Sequence, residues 1–207
     1  VDQRVTAPGS TLAAPATVEI LTVNGAPQLV VTGASLSGVQ GMALQTGGTL
    51  AAPTSLAGSL SGTLSAQTTV TIGGVTYFYA ARAGESTIYA YSVAANGTMT
   101  PLDSKVLGGT LPGIDLTELT TVTVGGQTFL VSLSLTGDLM RVFPIGANGQ
   151  LGAPTVCGPA AGLGVADPSG VTAVEIGGLT YLLVASVGSS SLSVIELSPS
   201  GTMRVAD

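Results

Sequence analysis

The chain has 207 residues, 45% of them hydrophobic and 8% charged, with 30 glycines, 11 prolines, no Trp and a net charge of −6. Its basic residues, Arg4, Arg82, Lys105, Arg141 and Arg204, are spread singly, which argues against a nucleic-acid partner or docking on anionic lipid. No apolar run reaches the roughly 18 residues of a membrane-spanning helix, so membrane insertion is not expected, and the β-branched, Gly-rich composition is that of a β protein rather than a disordered chain.

The predicted elements repeat along the chain. The first unit, "ATVEILTVNGAPQLVVTG", has Asn24-Gly25 at a hairpin position and Gly48 at a closing turn. In the second, "TTVTI" leads to Gly73-Gly74, then "TYFYAA", a turn at Gly84, "TIYAYSV", and a turn at Asn96-Gly97. The third and fourth units repeat this with Gly125-Gly126 and Gly177-Gly178, then "TFLVSL" and "TYLLVAS", then "LMRVFPI" and "LSVIEL", closing at Gly149 and Gly201. From the second unit on, each landmark steps by 52 residues, as in Tyr77, Phe129 and Tyr181. Paired glycines supply the positive φ angles of a two-residue hairpin. The nearly continuous apolar second strands predict burial on both faces, and the short, polar, Pro-containing fourth strands suit an outer edge.

A period near 50 with several strands per unit predicts an all-β fold, a β-propeller of four ~52-residue, four-stranded blades or four blades of a larger propeller. The blades fall at about 16–55, 69–104, 121–156 and 172–207 within one domain. A β-solenoid is the architectural alternative. Gly201 to Val18, counted through the chain ends, spans 24 residues, against 25 from Gly97 to Val122. A whole number of repeats allows three readings: a self-closed ring, blades from a longer array, or an open set paired across a homodimer. The first residue is Val1 and no signal peptide is visible, so a processed product or a piece of something longer is expected.

The absence of His removes the commonest general base and zinc ligand, and no phosphate-binding loop is present. Cys157, the only cysteine, reads as a small filler residue. Asp115 and Asp167 are 52 residues apart in the linkers before the inner strands, with Thr63 and Thr11 at the same step upstream. These four residues are expected to ring the mouth of the central channel, where oxygen ligands suit calcium. The alternative is that they cap turns by accepting from backbone N–H groups. Glu175 lies on an inner strand, as a ligand or base, or as a group that meets channel water. Tyr77, Tyr79, Tyr89 and Tyr91 pair on adjacent strands, either as a stacking surface for a sugar or as inter-blade packing. Asn96-Gly97-Thr98 matches a glycosylation sequon and is also the turn itself.

The repeated pattern V-x-I/V-G-G-x-T-Y/F-L-x-V-A, followed by L-x-V-x-x-L/V-x-x-x-G-x-L/M, resembles the blades of the lactonase-like, or YVTN-type, β-propeller family. It particularly resembles versions in large secreted, acidic bacterial proteins that carry calcium-binding, RTX-like nonapeptides. The nonapeptide G-G-x-G-x-D does not occur here. With the plain chemistry of the repeats, the resemblance implies a non-catalytic binding or structural module of an extracellular or cell-surface bacterial protein, engaging a protein or carbohydrate partner. The alternative it permits is a lactonase-like hydrolase using channel-mouth carboxylates, with or without calcium.

Overall fold

The hairpin glycines set the architecture. Gly73 and Gly74 have φ of 57° and 82°, Gly125 and Gly126 57° and 84°, and Gly177 and Gly178 61° and 79°. Asn24 and Gly25 match them at 50° and 75°. Two consecutive left-handed residues make the type I′ turn, whose twist suits the flanking strands.

The computed structural model describes residues 15–33, 39–58, 60–107, 116–135, 137–159 and 166–206. Among them, four antiparallel sheets of four strands each follow the chain. Blade one holds β1 (Pro15–Val23), β2 (Ala26–Gly33), β3 (Gln40–Ala43) and β4 (Thr54–Ser55). Blade two holds β5 (Leu64–Ile72), β6 (Val75–Arg82), β7 (Thr87–Val93) and β8 (Met99–Val106). Blade three holds β9 (Leu116–Val124), β10 (Gln127–Ser134), β11 (Leu139–Pro144) and β12 (Thr155–Cys157). Blade four holds β13 (Pro168–Ile176), β14 (Leu179–Ser186), β15 (Ser191–Leu197) and β16 (Met203–Val205). This is the blade construction of a β-propeller, not the coil of a solenoid.

The inner strands of blades two to four begin four or five residues before the hairpin pattern placed them. Each carries a bulge near its start, at Leu64/Ala66, Leu116/Glu118 and Pro168/Gly170. A bulge breaks the two-residue alternation that marks a strand in sequence. The outer strands are short except β8, where Pro101 sits at a bulge on the free edge and removes no needed hydrogen bond.

The continuous apolar run of β6 has a simple cause. Phe78 and Tyr79 point to opposite sides of the sheet, and both are fully buried. Phe78 packs toward blade one, edge-on to Tyr91 at 6.5 Å between ring centroids. Tyr79 packs toward Leu130 and Phe143 of blade three. Burying one such side chain stabilises the fold by roughly 1.5–3 kcal/mol. Three apolar cores result, one between each pair of consecutive blades. Inner strand β1 packs on β5, β5 on β9 and β9 on β13, while no comparable packing joins β13 to β1 among the described residues.

Candidate ligand-binding face

Antiparallel pairing places the start of each inner strand beside the end of the second: Leu64 opposite Arg82, Leu116 opposite Ser134, Pro168 opposite Ser186. The residues that lead into inner strands therefore share one face of the molecule with the turns between second and third strands.

On blade two this face holds an open cleft of about 510 Å³, lined by Ser61, Gly62, Thr63, Arg82, Ala83 and Glu85. Arg82 donates from Nε to the Ser61 carbonyl at 2.9 Å and from Nη1 to Glu85 at 3.2 Å. Its guanidinium lies 5.1 Å from the centre of the Tyr89 ring, and the Tyr89 hydroxyl donates to the other Glu85 oxygen at 2.7 Å. That hydroxyl, then Arg82, holds the Glu85 carboxyl below the ordinary carboxylate range. The same bond, first among its causes, pushes the Tyr89 phenol up. The cluster is a charged, hydrogen-bonded wall with a planar cation at its centre, suited to polar, hydroxyl-rich ligands.

On blade four, Asp167 is exposed at φ 54°, and its N–H donates to the Asp138 carboxylate at 2.8 Å. Its carbonyl accepts from Val187 N–H at 3.2 Å. The Ser186 hydroxyl donates to the Ala166 carbonyl, and Ser189 donates to Ser186 at 2.7 Å. Thr63 thus lies in the Arg82 cleft and Asp167 beside Asp138. No group of three or more Asp, Glu, Cys or His side chains able to hold a metal gathers among the described residues.

Thr11 and Asp115 lie outside the described residues. The register of blade one nevertheless differs from a uniform step of 52. Pro15 opens β1 and Leu64 opens β5, 49 residues apart. Glu175 is exposed at the hairpin end of β13, eight residues beyond Asp167. Eight residues of extended strand span about 26 Å, so Glu175 belongs to the opposite face.

Two further carboxylates stand half-buried on inner strands. Glu19 of β1 and Glu118 of β9, both half-buried, are near enough for Glu118 to act on the Glu19 charge. Burial first, then Glu118, raises the Glu19 carboxyl above its ordinary range, and a hydrogen bond with Thr68 of β5 opposes this. Burial alone raises Glu118. Both break the repeat: the 49- and 52-residue steps give Thr68 for Glu19 and Ala66 for Glu118. A carboxylate in place of Thr or Ala at an inner-strand position was the available signal.

The tyrosine cluster divides. Tyr77 and Tyr79 face blade three, Tyr91 faces blade one, and all three are buried. Only Tyr89 reaches the cleft wall, so this cluster is mainly inter-blade packing. The Asn96 side chain accepts from Thr98 N–H at 3.0 Å, as a turn residue does.

No family model matches the sequence, and no curated protein matches it. Solved structures do. The periplasmic gluconolactonase of Pseudomonas aeruginosa superposes with a TM-score of 0.69 at 15% identity, over 92% of this chain and 53% of that one. A Lactobacillus plantarum protein gives 0.68 at 17% identity, over 92% and 54%. An exo-β-1,3-galactanase of Phanerochaete chrysosporium, solved with β-1,3-galactotriose, gives 0.61 at 13% identity, over 98% and 52%. The likeness is one of fold, and the chain spans about half the length of these structures.

Proposed function

We propose that this chain is a non-catalytic carbohydrate-binding propeller module that works outside the cytoplasm, in the periplasm or at the cell surface. The observation that carries the reading is the Arg82–Glu85–Tyr89 cleft. It presents a fixed guanidinium and a carboxylate to solvent on the face where the inter-blade linkers cross. Arg and carboxylate side chains together match the donor and acceptor pattern of vicinal sugar hydroxyls. The gluconolactonase and galactanase likenesses support a sugar as the ligand class. Calcium joins this reading only as an ion held by the Asp115 and Asp167 carboxylates. Equal calcium titration heats for the parent and an Asp115→Asn/Asp167→Asn variant would remove it.

The test is calorimetric titration with β-1,3-linked galacto-oligosaccharides and a panel of other neutral oligosaccharides. Saturable heat that Arg82→Ala lowers at least tenfold in affinity is expected, with no release of product sugar. Binding unchanged in Arg82→Ala would move the site elsewhere.

One observation favours a second reading, a lactone or glycoside hydrolase. Burial raises both Glu19 and Glu118, and the Glu118 charge raises Glu19 further, which sets two carboxyls on different footings for acid and base roles. Turnover of a lactone or glycoside that Glu118→Gln abolishes would establish it over the binding reading.

A further inference from the structure

We infer that blade four of one copy of this chain docks on blade one of a second copy, and reciprocally, closing a two-fold ring of eight blades. The contact that joins consecutive blades inside the chain is the template. In each, a side chain of the leading blade covers the closing-turn glycine of the next. Val23 lies over Gly97, 3.2 Å from the position of a Cβ there. The Tyr77 ring fills that position at Gly149, and Phe129 lies 3.0 Å from it at Gly201. Gly48 is the closing-turn glycine of blade one, and nothing lies within 4 Å of its Cβ position. Tyr181, 52 residues after Phe129, is the matching aromatic of blade four, and no fifth sheet receives it among the described residues.

Both surfaces are built like their covered counterparts. Around Gly48, a bridge pairs Leu44 with Leu50, as Ile145 pairs with Leu151 around Gly149. Ile145 and Leu151 are buried under blade two, whereas Leu44 is 48% exposed. An apolar groove of about 240 Å³ remains there, lined by Ile20, Pro27, Leu29, Leu44 and Leu50 as well as Gly48. On blade four, Leu192 occupies the position of Ile88 and Met140, which are fully buried, yet it is 62% exposed. The blade-one groove is apolar surface of the kind a partner covers, and Leu192 is the side chain that blade four would bury against it. The two faces sit at opposite ends of the blade row, and β13 and β1 show no packing comparable to that of consecutive blades among the described residues. The chain also spans about half of the propeller-like structures it superposes on. A head-to-tail contact used twice about a two-fold axis closes, leaving neither face open.

The test is light scattering of the 207-residue chain, with Ile20→Glu and Leu192→Glu as variants. Ile20 is 66% exposed, so both charges enter surface positions, and far-UV circular dichroism checks the fold. If Leu192→Glu disturbs the fold, Tyr181→Gln replaces it. The expected result is a parent mass about twice 20.2 kDa, and native-like monomers for each variant. A monomeric parent at tens of micromolar overturns the inference and leaves blades of another polypeptide as the cover. An open-ended series of larger species overturns closure. A dimer that survives Ile20→Glu overturns the head-to-tail contact, because blade four would then be pairing with itself.

Discussion

The Tyr79 hydroxyl donates to the Gly149 carbonyl oxygen at 2.8 Å, across the boundary between blades two and three. Tyr79 is fully buried, and burial pushes its phenol well above the ordinary range, so it stays a donor at all working pH values. The bond ties the second strand of one blade to the closing turn of the next, where the neighbouring Tyr77 also donates, to Ala147 at 3.3 Å.

Tyr79→Phe keeps the ring and removes only the donor. The Gly149 carbonyl loses that partner at the interface, which costs about 1–2 kcal/mol. Urea unfolding would show a lower midpoint with an unchanged slope. No change in the midpoint would mean that water replaces the hydroxyl.

Gly149→Ala should cost more. The residue sits at φ 79°, and a Cβ would collide with the Tyr77 ring. Backbone strain and overpacking together cost on the order of 3 kcal/mol. Gly126, in the same blade at φ 84°, has nothing within 4 Å of a Cβ. Gly126→Ala therefore carries the backbone cost alone, about 1 kcal/mol. Equal losses for the two would deny the tyrosine contact its role.

Glu19→Gln should change the pH dependence of stability. The folded protein holds the Glu19 carboxyl above its ordinary value of 4.5, so folding favours the protonated form. That contribution is fully present below the unfolded value and is lost as pH rises through the folded one. The variant should gain over the parent at pH 7.5 and match it near pH 4. Denaturant midpoints at the two pH values measure this, and a uniform offset would contradict it.

Cys157 is buried among blade-three and blade-four side chains, and burial pushes its thiol up. It should react with a thiol reagent only after unfolding. Labelling rates in native buffer and in denaturant would decide this, and comparable rates would place the thiol at the surface.

The sequence by itself determined the four units, their hairpins and their outer edges, because turns demand particular residues. Gly73-Gly74 and its repeats announce positive φ locally, and Pro101 announces an edge, with no reference to distant parts of the chain. The double-sided burial of "TYFYAA" was legible for the same reason: adjacent residues in a strand point to opposite faces. Bulges hid the true starts of the inner strands, because they interrupt the alternation. Only the tertiary structure decided which carboxylates meet and which surfaces stay open. Glu19 and Glu118 are 99 residues apart, yet the Glu118 charge reaches Glu19 through the packing of β1 on β5 and β5 on β9. Asp167 leads into β13 and Glu175 lies near its far end, so the two belong to opposite faces, since an extended chain separates what sequence keeps close. Leu192 repeats Ile88 and Met140 in register, but whether such a side chain is core or surface depends on a neighbouring blade, which no local pattern encodes.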